Sequence, residues 1–292
     1  MPSPVKIALV QLLVSANRAV NLERAGAKVK QAAQAGARLV VLPECFNSSY
    51  GTQYFDANAE PVVDSKTLEP TGDSTKALSA MAAENNVFLV GGSIPERDTE
   101  GGLYNTSTVW SPQGKLLAIH RKVHLFDIDI PGKIRFKESE VLSSGNKLTH
   151  FETPWGKFGL GICYDVRFPE LAMIAARQEG CKGMIYPGAF NMTTGPLHWQ
   201  LLARARALDN QFFVAMCSPA RDTTASYVAY GHSTVIDPMG QVIAEADEKE
   251  NIVYAELNLD EIEAARSSIP CNSQRRFDVY SSVSSNSGSV QV

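Results

Sequence analysis

Apolar residues recur along this chain in two alternating rhythms. Short, almost unbroken apolar runs occur at 5–12 (VKIALVQL), 38–46 (RLVVLPECF), 87–94 (VFLVGGSI), 157–163 (KFGLGIC), 183–187 (GMIYP), 212–218 (FFVAMCS) and 251–257 (NIVYAEL). They predict strands, and the near-continuous run at 38–46 has the pattern of a strand covered on both faces. Between them the spacing turns helical. Leu22, Ala25, Val29 and Ala32/Ala33 mark a helix over about 17–36, closed by Gly36. Further helices are expected at 74–86, with Asp73 or Ser74 as N-cap, at 168–180, 197–210 and 260–268. Turn residues predict three hairpins, around Pro112-Gln113-Gly114, Pro154-Trp155-Gly156 and Asp237–Gly240. Residues 124–147 show no clear period, and a loop of that length inside a domain is usually functional or disordered.

No linker, composition break or internal repeat divides the chain, so one α/β (α+β) domain is expected over 1–280, with a loose Ser- and Gly-rich tail at 281–292. A content of 44% hydrophobic and 20% charged residues is that of a globular protein. The net charge of −4, with basic residues only in short pairs, argues against nucleic acid or acidic membrane as partner. The opening MPSPVKIALVQL lacks a secretory leader, and no apolar run reaches the ~20 residues of a membrane span. Five scattered cysteines without a C-x-x-C pair suit reduced thiols and a cytoplasmic location.

Three apolar runs lead to reactive side chains: VVLPE to Glu44, LLAIHRK to Lys122 and FGLGIC to Cys163. Sites in open α/β sheets sit beyond such strand ends. A free thiol is only about 3% ionised at pH 7, so a neighbouring base raises its power as a nucleophile more than tenfold. Glu44 can supply that base, Lys122 can meet the oxyanion of an attacked amide, and the backbone N–H of Tyr164 is the expected second donor. Cys45, next to Glu44 on a supposed extended strand, should face away from the site into packing. Cys181 and Cys217 read as inert. His120 and His124 share the four-residue gap of helical metal ligands, but lie on an expected strand running into a loop, with Lys122 between them. No metal or other cofactor is expected, and the glycine pairs lack a phosphate-binding pattern.

The segments VVLPECFNSSYG, HRKVHLFDIDIPGKIRFKESEVLSSG and GLGICYDVRFPELA resemble the three signature blocks of the nitrilase superfamily, and YPGAFNMTTGPLHW, LLARARALDNQ, CSPARD and GHSTVIDPMG extend the likeness over about residues 5–280. The resemblance implies a four-layer α-β-β-α sandwich that hydrolyses non-peptide carbon–nitrogen bonds, with Glu44, Lys122 and Cys163 as its triad. It also implies a second glutamate, Glu138 or its neighbour Glu140, that orients them. Within the superfamily the chain most resembles the omega-amidases, which release ammonia from 2-oxoglutaramate and 2-oxosuccinamate. The branch acting on deaminated glutathione is the alternative, and a silent binding protein on the same fold is the reading from another class. A small dicarboxylate monoamide needs a cation for its far carboxylate, and Arg167 or Lys133 can serve. For Arg167 a structural ion pair with Glu170 is the competing reading. Tyr50, Phe190 and Thr194 fall in segments that resemble pocket-lining stretches. The 124–147 loop is a candidate lid, and a homodimer is implied by resemblance, with SQRRFDVYSSV reaching across it.

Overall fold

Alternate residues of the buried strands face different cores, and this decides the architecture. The computed structural model describes residues 4–132 and 134–280. Its first half comprises β1 (Val5–Gln11), α1 (Arg18–Gln34), β2 (Leu39–Val41), α2 (Thr52–Asn58), α3 (Asp73–Asn85), β3 (Phe88–Val90), β4 (Ile94–Arg97), β5 (Leu103–Trp110) and β6 (Leu116–Arg121). There follow β7 (Asp127–Ile130), β8 (Ile134–Lys137), β9 (Thr149–Thr153), β10 (Gly156–Leu160), α4 (Pro169–Arg177), β11 (Gly183–Pro187), α5 (Gly195–Asn210), β12 (Phe213–Cys217), β13 (Thr234–Ile236), β14 (Val242–Glu245), β15 (Asn251–Leu257) and α6 (Asp260–Ser268).

One sheet runs β15-β1-β2-β3-β5-β4, with β6 added to β5; the other runs β14-β13-β12-β11-β10-β9. Ile7 and Leu9 of β1, Leu39 and Val41 of β2, and Phe158, Ile185, Phe213 and Val235 of the second sheet form the core between the sheets. The intervening residues Ala8, Val10, Val40 and Leu89 face outward and meet Ala25, Val29 and Ala32 of α1 and Leu78 and Met81 of α3. On the far side Met184, Tyr186, Val214 and Met216 meet Leu171 and Ala175 of α4 and Trp199, Ala203 and Ala207 of α5. The layers are therefore α-β-β-α, and a strand clothed on both faces must read as a continuous apolar run. The sheets also touch through polar atoms. Gln11 donates to the Asp247 and Lys249 carbonyls and accepts from the N–H and hydroxyl of Ser233.

Several elements depart from the expected bounds. The run at 38–46 is a strand only over Leu39–Val41; Pro43 withholds an N–H and Cys45 takes φ +49°, so residues 44–47 turn. α2 was not expected, and α3 is preceded by Gly72, not by a side-chain cap. The 124–147 stretch is ordered by the antiparallel pair β7–β8 and a 3-10 turn at Glu138–Glu140. Its Asp-Ile-Asp-Ile alternation has period two, but is too short and too charged to stand out.

The central strands β1, β2 and β3 are parallel, as are β10, β11 and β12. Their C-terminal ends deliver Glu44, Cys163 and Ala189 to the same side of the sandwich.

Candidate active site

Four ionisable side chains meet there with almost no access to water. Lys122 follows β6 directly, its N–H tied to the Asn105 carbonyl of β5 at 2.8 Å. Its buried Nζ lies 3.0 Å from Glu44 Oε1, 2.9 Å from Glu138 Oε1 and 2.8 Å from Glu138 Oε2. Glu138 is further held by the Tyr50 hydroxyl at 2.7 Å and the Phe126 N–H at 2.7 Å. Asn105 Nδ2 donates to Glu44 Oε1 at 2.8 Å, and the buried Glu44 carboxylate also faces the Cys163 thiol. The turn bearing Glu44 is seated by the 91–93 loop: the Cys45 N–H donates to Ser93 Oγ at 3.0 Å and the Phe46 N–H to the Ser93 carbonyl at 3.3 Å. Glu140 is exposed and pairs with Arg135 at 2.8 Å, so of the two candidate glutamates only Glu138 enters the group.

Cys163 stands at φ +47°, opening a 3-10 turn that runs to Arg167. For a residue with a Cβ this left-handed conformation is strained, and it persists only where surroundings over-determine it. They do so here through Asp165. Its Oδ2 accepts from the Ile162 N–H at 2.9 Å and lies 3.1 Å from His120 Nε2; its Oδ1 accepts from the His124 N–H at 2.9 Å and lies 2.7 Å from His124 Nδ1. The two histidines thus converge on one carboxylate, which ties the Cys163 turn to the strand end carrying Lys122. Asp165 is buried, which alone would raise its pKa, yet the hydrogen bonds from His120 and His124 hold it well below the usual carboxylate range.

The charges explain the state of the thiol. Two carboxylates and one ammonium leave the cluster net negative. Burial, reinforced by the charge of Glu44, pushes the Cys163 thiol well up, so the neutral S–H is its resting form. Burial likewise raises Glu44, against the pull of Lys122. Burial opposes the charge on Lys122, but Glu138 and Glu44 outweigh it and hold the ammonium protonated. A neutral thiol facing a carboxylate of raised proton affinity can transfer its proton during attack. The Ala189 N–H points at Cys163 Sγ from 3.5 Å, and the Tyr164 N–H belongs to the first turn after the thiol, where helical N–H groups lack intrahelical acceptors.

A narrow, tightly closed pocket adjoins Cys163, lined by Phe126, Tyr164, Arg167, Ala189, Phe190, Thr194 and Tyr227. Arg167 lies over the Phe190 and Tyr164 rings, 4.8 and 5.4 Å from their centroids, and meets His198 Nδ1 at 3.2 Å. It forms no ion pair among the described residues, so the expected alternative pairing with Glu170 is absent; burial lowers its pKa. Thr194 hydrogen-bonds Asn191 and Phe190 packs edge-on against Trp199 at 5.2 Å, so each both lines the cavity and holds a neighbour. Tyr50 does not line this cavity: its hydroxyl serves Glu138 and its ring stacks on Phe136. Lys133 lies outside the described residues.

The expectation for Cys45 fails in its reasoning. It is not on an extended strand, and it packs with Tyr50, Phe55 and Ala189 beside the site, its thiol pushed well up by burial and by Glu44. Cys181 and Cys217 are buried and raised, Cys181 to about 12. Sequence reasoning passed over Asp165, Asn105 and Tyr227; only the CYD triplet hinted at the first, since its partners lie 41 and 45 residues away.

An α-β-β-α sandwich with a thiol, two carboxylates and an ammonium gathered beyond its parallel strands defines a hydrolase of the nitrilase fold. The chain belongs to the carbon–nitrogen hydrolase family, whose profile matches residues 6–267. It is 58% identical to a hydrolase of Schizosaccharomyces pombe, over 95% of this chain and 84% of the relative. It is 57% identical to the omega-amidase NIT2 of Danio rerio, over 96% and 97%. The crystal structure of Saccharomyces cerevisiae Nit3, a member of branch 10 of the nitrilase superfamily, superposes with a TM-score of 0.86 at 50% identity, covering 94% of this chain and 97% of that one.

Proposed function

We propose that this chain is an omega-amidase, hydrolysing the terminal amide of small dicarboxylate monoamides such as 2-oxoglutaramate and 2-oxosuccinamate. One observation carries the substrate class: the half-buried Arg167 guanidinium, which has no ion pair among the described residues, lines the same narrow pocket as the Cys163 thiol. A cation kept there without a carboxylate of its own suits a substrate that brings one. The naming of relatives such as the Danio rerio protein supports the same reading.

In this mechanism Glu44 takes the thiol proton as Cys163 Sγ attacks the amide carbon. Lys122 and the Tyr164 N–H stabilise the oxyanion. Glu44 passes its proton to the departing nitrogen, leaving a thioester and ammonia, then activates water to release the acid. Glu138 and Tyr50 act by positioning Lys122. Phe190 and Thr194 shape the acyl pocket. The β7–β8 hairpin, with Phe126 just before it and Phe136 within it packing near Tyr164 and Tyr50, excludes water from the thioester as a lid.

The catalytic domain spans 1–280. We place the protein in the cytoplasm and read it as a homodimer, for α5 exposes Leu197, Leu201 and Leu208 at 66, 63 and 52% on its outer face. Residues of the 270s fold back on their own chain, Phe277 beneath Arg177 and Arg275 on the Asp209 carbonyl. Leu201→Glu should convert a dimer to a monomer on sizing chromatography; an unchanged elution position would refute the α5 face.

The deciding assay is ammonia release from 2-oxoglutaramate by wild type and Cys163→Ala, with deaminated glutathione as competitor. Turnover should fall more than about 10³-fold in the variant. Preference for deaminated glutathione would overturn the substrate, and no release from either would overturn the activity.

A further inference from the structure

Cys163 and Glu44 open on different spaces. The thiol borders the narrow pocket with Arg167. Glu44 borders a larger cleft, about 250 Å³ and open to solvent, together with Cys45, Ser48, Ala225 and Ser226. Ala189 and Tyr227 line both spaces and form the wall between them, fixed by a 2.6 Å hydrogen bond from the Tyr227 hydroxyl to the Ala189 carbonyl. On the cleft side Ser48 Oγ is buried without a partner, in a residue 1% exposed, and the buried Glu44 carboxylate, which also faces the Cys163 thiol, lines the same cleft. A buried hydroxyl left unsatisfied costs free energy unless a small polar species serves it.

We propose that this Glu44-side cleft seats and conducts the two small reactants, outgoing ammonia and incoming water, while the acyl group stays on the Arg167 side. The inference rests on the amidase reading above. In acylation the S–H proton passes through Glu44 to nitrogen, the C–N bond breaks, and ammonia forms on the face where Glu44 meets the cleft. In deacylation water occupies the same seat, between the Glu44 carboxylate and Ser48 Oγ. Its oxygen bonds to the thioester carbon, its proton passes through Glu44 to sulfur, and the C–S bond breaks. Glu44 ends as it began. Neither step requires the acyl chain to leave Arg167, and the thioester is protected from bulk solvent on the side that holds it.

Two measurements test this. Ser48→Ala breaks no protein hydrogen bond, so a structural role predicts no change. If Ser48 seats the water, decay of the Cys163 thioester, followed by acid quench and intact mass, should slow about two- to tenfold. Ala225→Trp at the exposed rim should lower interception of the thioester by O-benzylhydroxylamine at least about tenfold relative to hydrolysis in the same variant, while the corresponding ratio for hydroxylamine holds. Unchanged thioester decay together with an unchanged O-benzylhydroxylamine ratio would overturn the proposal. So would a rise in the amide KM of Ala225→Trp, which would make the cleft the substrate entrance. Wild type that releases no ammonia would instead sink the amidase reading.

Discussion

Replacing Asp165 by asparagine keeps the shape of the side chain and removes only its charge and one acceptor. Each carboxylate oxygen receives a backbone N–H, from Ile162 at 2.9 Å or His124 at 2.9 Å, and each also faces an imidazole nitrogen. Whichever way the asparagine amide is turned, its NH2 confronts one of those N–H groups. One buried donor is then orphaned, costing about 1–3 kcal/mol, and charge-assisted bonds worth about 1.5–3 kcal/mol weaken. The sum, about 2.5–6 kcal/mol at pH 7, is large against the roughly 5–15 kcal/mol that holds a typical domain folded.

The sign of the pH dependence follows. Asp165 is held below its unfolded value, so its contribution is complete above the unfolded pKa of about 3.9 and is lost as pH falls through the folded one. Urea unfolding of wild type and Asp165→Asn, followed by circular dichroism, should give a gap that is flat from pH 8 to about pH 5 and closes under stronger acid. Turnover by the folded variant should also fall, because the φ +47° turn of Cys163 loses its tether. A gap below about 1 kcal/mol at pH 7, or one that widens in acid, would refute the reasoning.

Other tests address single contacts. Arg167→Leu should cut kcat/KM for 2-oxoglutaramate about 10- to 100-fold, but that for a neutral amide of similar length far less; equal losses would remove the carboxylate role. The acid limb of the kcat/KM profile should lie above the ordinary glutamate value of about 4.3, because burial raises Glu44 and the base must be ionised; a limb at or below that value would refute this. Gly92→Ala should destabilise by about 2–4 kcal/mol on thermal melting. Gly92 has φ +60°, and a Cβ would stand 2.1 Å from the Pro43 carbonyl oxygen, in the turn that carries Glu44. Wild-type stability in that variant would show the turn to be more adaptable than drawn.

What the sequence revealed and what it hid divide along a physical line. Layering was legible because it is written locally: Ile7 and Leu9 must be clothed on one face and Ala8 and Val10 on the other, so the strand reads apolar throughout. Strand order was not, because pairing the first strand with the last, Val5 opposite Leu257, leaves no mark near either. The reactive residues stood out as polar endings to apolar runs, yet their supports did not. Asp165 looks like any acid after a strand, and its meaning lies in two histidines far up the chain, whose four-residue gap instead suggests a metal. The backbone at Cys45 was misjudged, though not its packing, because the alternation rule was applied past Val41, where the chain has already turned.

The same line separates the four buried ionisable groups from one another. Lys122 contributes one positive charge to two carboxylates that could not share the pocket unaided, and burial there suppresses ionisation of the thiol while raising the proton affinity of Glu44. Removing only the lysine charge, as in Lys122→Met, would leave two buried carboxylates facing each other across an apolar side chain, and at least one would take up a proton. Loss of activity in that variant would therefore have two causes, a missing oxyanion partner and a protonated base. The profile separates them. If Glu44 is the base, the residual activity of Lys122→Met should shift its acid limb to higher pH, whereas loss of an oxyanion contact alone would lower the whole profile without moving it.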